Sequence, residues 1–314
     1  MATGWDFRSD HSKLPKKWLP GFIALGIIWG SSFLFIKWGL LTLNSFGVAF
    51  LRCAIGGATL LLFAAITKNK LPNKLVEWLH IAVVAALLNS IPGYLFAYGE
   101  THVSSVMAGL LNATTPLMTV LVISIAFREQ RVDKNQMLGV VIGFLGILLV
   151  TGALTGLKAN DWHGIIALLG ATLCYGISMP YSKKYVSKLD YSTTALAATQ
   201  VTCAALLLAP FALFTGITHG PWQEKSLWGM LALGAVGTGF AYILNFNTIR
   251  AAGSAIASTV TFITPVVATI LGIWLLHEKP SASQGIGGVL VFISAALVQK
   301  RFRLIKERAV PHAK

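Results

Sequence analysis

Two short segments set a proline directly after a threonine inside long uncharged runs: NATTP at 112–116 and TFITP at 261–265. Proline donates no backbone N–H, so the carbonyl four residues earlier loses its helical partner. That carbonyl belongs to Asn112 for Pro116 and to Thr261 for Pro265. Within lipid a free carbonyl is costly, and it is tolerated where it faces a cavity or a neighbouring helix. With Thr115 and Thr264 beside them, the two segments are expected to present hydrogen-bonding groups to a solute. A plain packing kink is the alternative, since proline is frequent in membrane helices.

Aromatic rings and amides form a second set. Seven of the nine tryptophans lie near the ends of apolar stretches and Trp5 is in the amino-terminal tail, which leaves Trp29 alone in mid-stretch. Tyr94, Tyr98, Tyr175 and Tyr242 also fall inside such stretches. An amphipathic ring suits a cavity wall and stacks on an apolar or aromatic solute. Asn89, Ser90, Asn245 and Asn247 are amides or hydroxyls that hydrocarbon would penalise, so they are expected to point inward, towards a solute or towards another helix. Ser32 and Ser178 join the candidate cavity set. Arg52 and Glu100 could pair as a gate or as a structural staple. Lys37 and Lys183 sit near stretch ends and are expected to reach water along their stems. Glu129 and Glu278, just past their stretches, are expected to cap or bridge loops.

These residues must be held by membrane helices. The 314-residue chain is 55% hydrophobic and 11% charged, with a mean hydropathy of +0.70, whereas a soluble domain carries about 25% charged residues. Nine uncharged stretches, broken at most by histidine, run 18–36, 78–99, 103–127, 135–157, 162–182, 191–223, 226–249, 251–277 and 280–299; a tenth, 46–66, contains only Arg52. Each reaches roughly the 20 residues needed to cross a bilayer. The expected fold is an all-α membrane protein of ten transmembrane helices. The net charge of +14 follows topology rather than a nucleic-acid surface: with the amino terminus inside, 20 of 25 Lys and Arg are cytoplasmic and only Lys158, Lys225 and Lys279 are outside, a positive-inside pattern. Both termini are then cytoplasmic, in tails at 1–17 and 302–314. The first twenty residues show no cleavable signal, and Cys53, Cys174 and Cys203 have no metal-ligand or disulfide spacing and read as packing residues.

The chain repeats itself. At a shift of 149, residues 112–130 lie on 261–279, matching Pro116 with Pro265, Thr115 with Thr264, Glu129 with Glu278 and, beyond, Gly139 with Gly288. At a shift of 146, WGSSFLFIK (29–37) lies on YGISMPYSK (175–183), matching Gly30 with Gly176, Ser32 with Ser178 and Lys37 with Lys183. Two halves follow, 18–156 and 162–301, each with five stretches. Five is odd, so the second half is expected to be inverted in the membrane. Inverted repeats are a mark of secondary transporters that alternate access around a midplane site.

The paired helices ending in AFREQ and LLHEK, each with a mid-helix proline and a following glycine-bearing helix (LGVVIGFLGILL, IGGVLVFISAAL), resemble the EamA family of the drug/metabolite transporter superfamily, as does the opening WGSSFLFIK. The resemblance covers residues 18–301. Within the family the chain looks most like the YddG type, exporters of aromatic amino acids and other metabolites. It implies ten helices and a central cavity built from helices 1, 3 and 4 of each half. Arg52 has no counterpart in the second half, where Ala198 stands.

The expected function is export of amino acids, aromatic ones first, and related metabolites or drugs across a bacterial inner membrane by a multi-pass carrier. A nucleotide-sugar or phosphorylated-metabolite carrier would want basic residues in the cavity, and a membrane enzyme a nucleophile–base or metal constellation. No Walker A, GxSxG, HExxH or GxGxxG pattern occurs, so no cofactor, metal or nucleic-acid partner is expected. The partners are a small-molecule substrate and the lipid bilayer, with the chain as a monomer or homodimer. None of the eleven acids falls near a stretch centre, and His80, the histidine placed inside a span, lies near its end; a carboxylate proton relay is therefore not expected. Glycine pairs Gly26/Gly30 and Gly139/Gly143 are read as close helix contacts.

Overall fold

The computed structural model describes residues 18–126, 134–153, 161–186, 188–252 and 258–299. Among the described residues thirteen α-helices follow one another: α1 (Leu19–Gly39), α2 (Ser45–Ile66), α3 (Leu75–Ala85), α4 (Ile91–His102), α5 (Ser105–Asn112), α6 (Thr115–Ala126), α7 (Lys134–Val150), α8 (Asp161–Tyr185), α9 (Thr193–Thr215), α10 (Glu224–Leu231), α11 (Ala241–Ala252), α12 (Thr264–Leu275) and α13 (Ala282–Val298). Side-chain oxygens start several of them by accepting orphan N–H groups. Asn44 accepts from Gly47, Ser104 from Met107 and Ser192 from Ala195, and Ser281 forms a reciprocal box with Gln284.

Among the described residues seven continuous runs are long and apolar enough to cross a membrane: Leu19–Gly39, Ser45–Ile66, Leu75–His102, Ser105–Val122, Trp162–Ser182, Thr193–Thr215 and Glu224–Asn245. The apolar helices Lys134–Val150, Val260–Leu275 and Ala282–Val298 are shorter. Large apolar side chains lie bare on the outside, Phe214 at 92% and Leu213 at 84% exposure among them. A surface of this kind suits lipid rather than water. No strand occurs among the described residues; the one extended contact is an isolated antiparallel bridge between Leu43 and Thr218.

Helices approach closely where glycine removes the side chain. A Cβ on Gly30 of α1 would sit 2.7 Å from the Thr264 carbonyl of α12, and one on Gly176 of α8 would sit 2.9 Å from the Met118 backbone of α6. Gly30 and Gly176 are 146 apart, and Val267, which also crowds Gly30, lies 149 after Met118. The same seam thus occurs twice. Elsewhere α2 lies along α9 and α7 along α13, again pairs one repeat apart. In the α7–α13 seam a Cβ on Gly146 would lie 2.9 Å from the Gly287 carbonyl and one on Gly139 would lie 3.1 Å from the Ser294 carbonyl. The glycine pairs Gly26/Gly30 and Gly139/Gly143 are the close helix contacts expected of them.

At one end of the bundle the loops 40–44 and 216–223 are clasped together. Asn44 N–H donates to the Ile217 carbonyl and His219 N–H to the Thr42 carbonyl, both at 3.0 Å; Ser226 Oγ donates to the Gly39 carbonyl, also at 3.0 Å. This clasped end also carries the loops after α4 and α12. At the opposite end His80 Nδ1 meets Tyr181 Oη at 2.9 Å, and Tyr191 donates to Glu77 at 2.9 Å. Tyr191 lies outside the membrane-spanning runs, and this bond pushes its phenol up from its ordinary value.

Candidate functional site

The third span of each half departs from the α-helix at the same place. A π-helical turn, in which hydrogen bonds reach five residues back, occupies Ala86–Ser90 and another occupies Ala232–Phe240; their first residues are 146 apart. Such bulges concentrate at functional sites. Ser90 and Thr238 each donate to a carbonyl five residues back, Ala85 at 3.4 Å and Leu233 at 3.0 Å. Ser90 also bonds the Ala204 carbonyl of α9 at 3.2 Å.

The first bulge carries Asn89, 9% exposed. Its Nδ2 donates to Tyr242 Oη on α11 at 2.9 Å, and its Oδ1 accepts from Gln200 Nε2 on α9 at 2.6 Å. The Tyr242 ring meets Trp29 of α1 edge-on, centroids 6.4 Å apart at 76°. Four elements from both halves thus converge through Gln200, Asn89, Tyr242 and Trp29. An amide–phenol chain in a low-dielectric interior is strong when satisfied and costly when broken. Gln200 was not among the candidates from sequence, although it is a lone amide in the uncharged α9 and the argument applied to Asn89 covers it equally.

Other candidates lie apart from this chain. Tyr175 stacks on Phe96 at 6.0 Å, and Phe96 in turn meets Phe33. Tyr94 stacks on Phe46 at 4.2 Å and on Tyr98 at 6.0 Å. Ser32, 6% exposed, bonds its own helix at the Ile28 carbonyl. Ser178 is fully buried, and its hydroxyl has no partner among the described residues. Asn245 is half-buried, whereas Asn247 is exposed. Five residues beyond Tyr242, Asn247 lies about 140° around the helix, so the inward orientation expected of it does not hold.

The prolines break their helices instead of leaving a bare carbonyl. Helix α5 stops at Asn112 and α6 restarts at Thr115, which places Pro116 in a first turn where its missing N–H costs nothing. Thr115 Oγ1 donates to the Asn112 carbonyl at 2.7 Å. The expectation of a free Asn112 carbonyl is therefore corrected: the neighbouring threonine takes it. In the second half a 3₁₀ turn (Ser258–Phe262) precedes α12, Pro265 is buried in its first turn, and Thr264 Oγ1 lies 3.4 Å from the Thr261 carbonyl.

The charged candidates also find unexpected partners. Arg52 Nε donates to Thr238 Oγ1 in the second bulge at 3.0 Å, and no ion pair joins it to Glu100 among the described residues. Lys37 does not run out to water; its Nζ donates to the Glu100 and Val103 carbonyls, which close the C-terminal end of α4, where the helix dipole favours a cation. Glu278 caps α5 across the molecule. Its carboxylate accepts from Ser105 N–H at 2.7 Å, Ser105 Oγ at 2.9 Å and Val106 N–H at 2.9 Å, the bridging role expected of it. Glu129 and the Lys183 side chain lie outside the described residues. A cleft of about 240 Å³ opens at the clasped end, lined by His102, Val103, Ser104, Met107 and Glu278 with Lys279, Pro280 and Gln284. Its lining includes none of the four residues of the central chain, whose convergence of buried polar groups makes it the stronger candidate for solute contact.

Apolar helices long enough to span a bilayer, a lipid-suited exterior and a buried polar chain between two similar halves define a multi-pass membrane protein of the transporter class. The chain belongs to the EamA-like transporter family, whose model matches residues 16–152 and again 162–299, within the drug/metabolite transporter superfamily. It is 26% identical over 275 residues to the transporter YoaV of Bacillus subtilis, covering 86% of this chain and 92% of YoaV. To the inner membrane transporter YedA of Escherichia coli K12 it is 30% identical over 278 residues, 86% of either chain. To the protein PecM of Dickeya dadantii it is 26% identical over 273 residues, covering 87% and 89%. A protein of known crystal structure superposes with a TM-score of 0.64 at 18% identity over 91% of this chain and 98% of its own, a likeness of fold alone. Family and relatives point to a transporter rather than an enzyme.

Proposed function

We propose that the protein is a secondary exporter of amino acids, aromatic ones first, and of related small metabolites or drugs, in a bacterial inner membrane. Its ten spans form two inverted five-helix halves with both termini cytoplasmic, and access alternates as the halves rock about the central chain. Trp29 and Tyr242 receive the apolar or aromatic part of the solute, and Asn89, with Gln200 behind it, receives the polar end. The single observation that carries this reading is the Gln200–Asn89–Tyr242–Trp29 chain, because it offers a ring and an amide at one place and draws on helices of both halves. The seams repeated at shifts of 146 and 149 support the symmetric halves, and the loops clasped at one end support a state closed on that side. On this topology the clasped end faces outward.

The test is counterflow uptake in proteoliposomes holding only this protein, with labelled Phe, Trp, Met, Thr and a nucleotide sugar. Saturable exchange of the aromatic amino acids is expected. Exchange of the nucleotide sugar alone would keep the transporter and discard the proposed solute.

A further inference from the structure

Glu100 is a fully buried acid without a task in the reading above. It is 1% exposed, two residues before the end of α4, and among the described residues neither of its carboxyl oxygens has a hydrogen-bond partner. The contrast with Glu278, held by three donors, is plain. The charged groups facing Glu100 are Lys37 from α1, Arg52 from α2 and Glu278 from the segment after α12. Arg52 is engaged with Thr238, and Lys37 gives its hydrogen bonds to backbone carbonyls. Helix α5 carries no charged residue. From α8, His163 meets His102 and Tyr175 meets Phe96. An anion stripped of water and given no donor is costly, and a neutral acid far less so. A cleft lined by His102, Val103 and Glu278 opens two residues beyond Glu100 in the chain, and Glu278, which lines it, is also one of the groups facing Glu100.

We propose that Glu100 binds a proton in the state described and releases it during the transport cycle, making it a proton-coupling site. This rests on the transporter reading with the clasped end outside. On release the carboxyl O–H bond breaks and the proton passes to water in the cleft. The carboxylate left behind draws the Lys37 ammonium off the Glu100 and Val103 carbonyls, which unties α1 from the end of α4. Reprotonation returns Lys37 to the carbonyls. Such a site runs against the expectation of no carboxylate relay, because position along the span shows depth, while burial among neighbouring helices is set by packing.

Two measurements test this on the purified full chain. Infrared difference spectra across an alkaline pH step are expected to show loss of a protonated-carboxyl C=O band in the native protein. That band is absent in Glu100→Gln and displaced in Glu100→Asp, which serves if the glutamine variant fails to fold. An identical band in native protein and Glu100→Gln, or none in native protein, overturns the proposal. In proteoliposomes with labelled phenylalanine, the ratio of uptake with and without an imposed proton gradient is expected to fall to unity in Glu100→Gln. A ratio unchanged from the native protein also overturns it. If native protein fails to exchange phenylalanine at all, the solute reading falls, and the infrared band decides the proton site alone.

Discussion

The two π-turned spans share a backbone and differ in chemistry. Ala86–Ser90 holds Asn89 and reaches α9 and α11 through its amide. Ala232–Phe240 has no amide; it is rich in glycine and lies against α2, where a Cβ on Gly234 would stand 2.6 Å from Ile55 Cβ and one on Gly239 2.8 Å from Thr59. The residue 146 before Gly234 is Leu88, and the residue 146 after Asn89 is Ala235. Duplicated backbone with unduplicated side chains separates two jobs. Equivalent turns recur in both halves, whereas only the first bulge contributes an amide to the proposed solute site.

The largest expected effect breaks the packing side of this contrast. Gly234→Leu copies the residue that the first bulge accommodates, yet it drives a side chain into Ile55, and overpacking of this kind costs about 1–3 kcal/mol or more. The yield of monodisperse protein in detergent and its Tm are expected to fall sharply. A normal yield would mean that the two bulges pack alike. Next, Asn89→Ala removes the acceptor of the Gln200 amide and a donor to the Tyr242 hydroxyl, at about 1–3 kcal/mol. Counterflow is expected to drop about tenfold or more, which corresponds to roughly 1.4 kcal/mol, and adding Ala235→Asn is expected not to restore it. Rescue would show that either half can host the amide. Smaller again, Trp29→Ala removes an edge-to-face pair worth about 0.5–1.5 kcal/mol; a several-fold loss of transport with unchanged membrane insertion is expected, and unchanged kinetics would remove Trp29 from the site. Smallest is Tyr175→Phe, which keeps the ring on Phe96. Phenylalanine counterflow at the native rate is expected, and a large loss would transfer the site to the second half's counterpart of Trp29.

The apolar stretches and the two repeat shifts were legible because hydropathy and residue identity are local properties. So were the glycine seams, since a missing side chain at regular spacing has one structural use. The π turns were not legible: ALLNS and the glycine-rich ALGAVGTGF share no residue pattern that marks a turn of this kind, and the helices against which they lie, α9 and α2, are set by tertiary packing. Lys37 misled for a related reason. A lysine near a span end snorkels when lipid surrounds it, but a helix terminus with open carbonyls lies within its reach. Pro116 was read as exposing a carbonyl because the sequence rule concerns a continuous helix, whereas Thr115 closes the break. Of the central chain, Trp29, Asn89 and Tyr242 were identified singly; their convergence, and the fourth member Gln200, came from packing.

The clasp between residues 40–44 and 216–223 is fastened twice over. Asn44 and His219 reach across it with main-chain N–H groups, and the side chains of Thr42, Asn44, His219 and Gln223 reach across it as well. An alanine at any one of these positions removes only the side-chain part of its fastening, so the latch is expected to loosen by degrees rather than at once. An ester in place of the His219 amide would instead remove a main-chain donor that alanine leaves standing.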